Sequence, residues 1–60
     1  MKLSEKITEK RLELEKTQRE FGELFGVGWK AVSDWEAGRR SPNGENRVKF
    51  CKLFGMNFFD

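Results

Sequence analysis

The sequence has no histidine and a single cysteine, Cys51. One cysteine closes no disulfide within the chain. Without histidine there is also no zinc-ligand spacing and no Cys–His pair for catalysis. Such usage fits a reduced, intracellular setting, with Cys51 as a small buried apolar residue. No apolar run approaches the roughly 18 residues that a membrane span needs. The opening MKLSEKITEK alternates charges and lacks the apolar core of a signal peptide, which predicts a cytoplasmic protein without a membrane partner. Repeats, low-complexity tracts and linkers are missing, and no run shows the alternation and β-branched enrichment of a strand. No phosphate-cradling loop or nucleophile–base pair is present, and Gly26-Val27-Gly28 is too short a signal for a nucleotide loop. These gaps argue against an enzyme and against any cofactor.

What is there is short and charged. Sixty residues make one domain at most, spanning 1–60, and a chain of this size buries only about 60% of its unfolded surface. Net charge is +2, but it is unevenly placed. Residues 1–28 carry six basic and six acidic side chains. Residues 37–53 carry Arg39, Arg40, Arg47, Lys49 and Lys52 against Glu45, a balance of +4. A polyanion would meet that second half. A solvated helix surface would carry the same residues, so charge alone does not decide.

Pro42 and six glycines punctuate four helical segments. The first is predicted over Ser4 to Glu15, with Ser4 as its cap. Leu3, Ile7 and Leu14 fall within about 40° of one another at 100° per residue and form one apolar stripe. Lys10 shares that stripe, its stem covering the core edge while its amine reaches water. Thr17 with Glu20 three residues on makes a capping box for a second helix, in which Phe21, Leu24 and Phe25 are apolar. Gly26 ends that helix in a left-handed conformation. Gly28 opens a third helix, Val32 and Trp35 give it a buried stripe, and Gly38 ends it. Asn43 caps a fourth, which reaches Phe54 with Val48, Phe50, Cys51 and Phe54 as its apolar positions and stops at Gly55. Asn57 reads as the cap of a fifth helix cut off after Phe58 and Phe59. Their exposure suggests either that the natural chain continues or that a second protomer covers them.

Residues 18–37 therefore read as two short helices joined by a tight glycine turn. Such a unit leaves one face of its second helix free, the geometry that lets a helix enter the DNA major groove. With these elements placed, the chain resembles the Cro/lambda-repressor-like (XRE-type) helix-turn-helix family over essentially its whole length. The matching signals are Thr17-Gln18, Gly26-Val27, Val32, and the run Trp35-Glu36 through Gly38-Arg39-Arg40 to Pro42, followed by Gly55. The chain departs from the pattern at Gly22, where alanine is common, and at Gly28, where serine or threonine is common. Arg47 also takes a position that is usually apolar. An interior glycine should destabilise its helix by roughly 0.5–1 kcal/mol. The resemblance implies an all-α, compact four- to five-helix domain. It further implies a bacterial or phage repressor that binds a palindromic double-stranded operator as a homodimer.

Placed on that geometry, the third helix would present Gly28, Trp29, Lys30, Ser33 and Asp34 to base edges. Lys30 can donate to guanine and Asp34 can accept from cytosine N4. Trp29 either meets a thymine methyl or packs back near Phe25 or Arg19. Backbone phosphates would be met by Gln18, Arg19, Arg39, Arg40, Ser41 and Asn43, with Gln18 at a helix N-terminus that favours an anion. The resemblance implies an internal ion pair between Arg11 and Glu36. The alternative function is a protein-interaction module of the same fold that does not bind DNA.

Overall fold

The structure is a computed structural model and describes residues 2–55. Helical backbone runs through Leu3–Glu13 (α1), Gln18–Glu23 (α2), Trp29–Ala37 (α3) and Gly44–Phe54 (α4). The expected fifth helix from Asn57 lies outside the described residues. No helix among the described residues is long and apolar enough to cross a membrane.

Local chemistry sets most of these boundaries. The Glu20 backbone N–H donates to Thr17 Oγ1 at 3.1 Å, and the Thr17 N–H donates to Glu20 Oε1 at 2.9 Å, closing the capping box on α2. Asn43 caps α4 by accepting from the Asn46 N–H at 2.9 Å. Gly26 and Gly38 turn left-handed after α2 and α3, at φ 69° and 78°. The end of α1 repeats that turn without a glycine. Glu15 takes φ 55°, the Glu15 N–H donates to the Leu12 carbonyl at 3.0 Å, and the Lys16 N–H reaches the Arg11 carbonyl at 3.2 Å.

That turn corrects the expected extent of α1. The helix stops at Glu13, so Leu14 leaves the stripe of Leu3 and Ile7 and stands exposed. At the other end, helical backbone starts at Leu3, which packs against the core. Lys2 is the cap position and makes no side-chain cap, while Ser4 sits inside the helix and accepts from Thr8 Oγ1 through its carbonyl. In α4 the buried face is Asn46 and Phe50, with Phe54 following at the same spacing. Val48 lies about 200° around the helix from Phe50 and is exposed rather than apolar core. Cys51, beside that face, is half-buried rather than buried.

The core is Ile7, Phe21, Phe25, Val32, Trp35 and Phe50, with Leu3, Val27, Ala31 and Phe54 packed against it. Aromatic rings dominate it. Phe25 lies 4.3 Å from Phe50, 5.2 Å from Phe21 and 6.0 Å edge-on from Trp35, centroid to centroid. Pairs of this kind contribute about 0.5–1.5 kcal/mol each beyond their buried area. The Lys10 amine lies 5.4 Å over the Phe54 ring and also pairs with Glu13 at 3.2 Å, so it is engaged rather than free in water.

Gly22 is buried where α2 meets the turn. A Cβ there would come within 2.7 Å of the Val27 carbonyl oxygen and 3.2 Å of the Val32 side chain. The Val27 N–H donates to the Gly22 carbonyl at 3.0 Å. The expected penalty for a helical glycine is therefore misplaced here. Its lack of a side chain is what lets the turn close onto α2 and seat α3.

Candidate nucleic-acid interface

Helix α3 buries Val32 and Trp35, packs Ala31 against the core and nearly encloses Glu36, while Trp29 and Lys30 face outward. Gly28 is its N-cap and offers no side chain there. Trp29 and Lys30 occupy the first turn and are exposed, Trp29 to 56%. One turn later, Ser33 and Asp34 are half-buried. The four side chains expected at base edges, Trp29, Lys30, Ser33 and Asp34, thus all stand on this one helix, with Gly28 at its cap.

The orientation of that helix is held from beneath by Glu36, whose side chain is 10% exposed. Its carboxylate accepts from Arg11 Nε, from Arg11 Nη2 at 3.2 Å and from Gln18 Nε2 at 3.2 Å. Arg11 Nη1 also donates to the Lys16 carbonyl at 3.0 Å. One acid therefore ties together α1, the loop after it, α2 and α3. Gln18, expected on a phosphate, spends one amide proton on this network. Its other amide proton can serve an outside partner, while the Glu20 N–H at the start of α2 is already taken by the Thr17 cap.

Around α3 lie the other polar residues expected to face DNA. Arg19, Arg40, Ser41 and Asn43 are exposed. The Asn43 oxygen is taken by its cap, which leaves its amide N–H group as a donor. Arg39 behaves differently from its neighbour Arg40. The left-handed turn at Gly38 carries the chain back so that the Arg39 N–H donates to the Asp34 carbonyl at 3.0 Å. The side chain follows: Arg39 Nε donates to Asp34 Oδ1 at 2.8 Å, and Nη2 lies 3.4 Å from Ser33 Oγ. Sequence reasoning assigned Asp34 and Arg39 to separate tasks and missed this contact. Its signal was a five-residue spacing across a helix-ending glycine.

A helix-turn-helix family model matches residues 7–60. The chain belongs to the Cro/lambda-repressor-like helix-turn-helix family. This helix-turn-helix protein is therefore a member of a family of DNA-binding regulators rather than of enzymes. Neither the curated proteins nor the solved structures contain a match to it. In this helix-turn-helix protein α2 and α3 are the motif, and Gly22 and Gly26 shape the turn between them.

Proposed function

We propose that the protein is a sequence-specific double-stranded DNA-binding transcriptional regulator, a repressor, that lays α3 in the major groove. The carrying observation is the outward face of α3, with Trp29 and Lys30 exposed above a helix fixed by the Glu36 network. Lys30 supplies a donor for guanine O6 and N7, and Trp29 supplies apolar contact for a thymine methyl. Arg19 and Arg40, with Gln18, Ser41 and Asn43, meet phosphates and fix register. In this reading two protomers bind a palindromic operator in the cytoplasm, their half-sites about 34–36 Å apart.

The test is selection of bound fragments from random DNA, repeated with Lys30→Ala. The native protein enriches one palindromic motif, and the variant relaxes it at one base pair per half-site. Failure to enrich any sequence overturns the proposal. The exposed Trp29 also suits a protein-interaction surface of the same fold. Salt separates the two readings, because DNA affinity falls steeply with ionic strength and an apolar contact does not.

A further inference from the structure

We infer that Asp34 is a positioning residue that aims the Arg39 guanidinium end-on at a guanine in the major groove. The inference rests on the reading that α3 enters that groove. A guanidinium offers two straight edges of paired N–H groups. The side edge, Nε with Nη2, is turned inward onto Asp34 Oδ1 and Ser33 Oγ. The end edge, Nη1 with Nη2, points away from both acceptors, and the Arg39 side chain is 61% exposed. Two parallel donors in a held orientation match the O6 and N7 acceptors of guanine.

Charge favours a base edge over a phosphate as their target. An arginine serving the backbone gains nothing from a carboxylate at its Nε, which cancels its charge and repels the phosphate. Hydrogen-bond readout of a base keeps its geometry and needs no net charge. Placement agrees, since Ser33 and Asp34 belong to the outer face of α3 and Arg39 lies over them. Arg39 thereby moves from the backbone-contacting group to the reading group, and Asp34 acts through it rather than on cytosine.

The experiment first finds the preferred site by selection. It then measures the Kd of the native protein, Arg39→Ala, Asp34→Ala and the double variant on duplexes altered one base pair at a time, with melts confirming that each variant folds. Arg39→Ala loses roughly 5- to 150-fold on the preferred site and erases the preference for guanine at one base pair per half-site. Asp34→Ala weakens the preference at that same base pair and adds nothing once Arg39 is alanine. Substituting 7-deazaguanine there, which removes N7, weakens the native protein and leaves Arg39→Ala unmoved. An equal loss on every duplex with a shallower salt dependence makes Arg39 a phosphate contact and overturns the inference alone. An Asp34→Ala variant with intact guanine preference overturns the positioning role. A native protein that selects no site overturns the groove reading and this inference with it.

Discussion

Single residues carry unequal weight in so small a domain. At about 0.05–0.15 kcal/mol per residue, its whole stability is a few kcal/mol. Glu36 accepts from two residues on two other helices while nearly enclosed. Removing it strands the Arg11 guanidinium, a loss of about 3–5 kcal/mol for a buried pair. Glu36→Ala is expected to destabilise more than any other single charge deletion, as read by thermal or urea melts. Gly22→Ala is expected to destabilise although alanine is the better helix former, because the new methyl meets backbone at Val27. Glu15→Gly should do the opposite. Glu15 is the one non-glycine residue with positive φ among the described residues. Relieving it is expected to raise the melting temperature, by an amount corresponding to about 1 kcal/mol.

At the scale of elements, the caps of α2 and α4 and the glycine turns proved legible, while the cap of α1, expected at Ser4, did not. The Thr17–Glu20 box, the Asn43 cap and the left-handed Gly26 and Gly38 are local chemistry within a few residues, and each is visible in the sequence. The Leu14 and Val48 faces were misjudged because periodicity assumes that a helix continues and that every apolar residue on it has something to cover. Glu15 ends α1 with a turn that glutamate rarely adopts, so no residue type announced it. The family assignment was legible from the run Trp35 to Pro42. The Arg39–Asp34 contact was not, because it depends on the chain doubling back after Gly38. The α2 box also gives the fold a pH response. The Thr17 backbone N–H, then its hydroxyl, hold the Glu20 carboxyl below its ordinary 4.5. Its contribution is therefore fully present above that value and is lost as pH falls through the lower folded value. Acid melts of Glu20→Gln are expected to be flatter over that window than those of the native protein.

For the whole molecule, the packed rings and the Glu36 network make one support for α3, and the charges that would hold DNA sit outside it. Arg19 and Arg40 are the exposed arginines assigned to phosphates once Arg39 is engaged by Asp34. Two such contacts in each protomer of a dimer give a slope of about −4 for log affinity against log salt. Arg40→Ala should take about one unit of slope per protomer and leave base preference intact, measurable by titrating a labelled duplex at several salt concentrations. The contact between Gly22 and Val27 has a consequence for the duplex. Backbone meets backbone there, which favours a fixed angle between α2 and α3. In the proposed complex the adapting then falls to the duplex. Operators should then differ in affinity at base pairs between the half-sites, beyond the reach of any side chain, according to how readily those steps twist and bend.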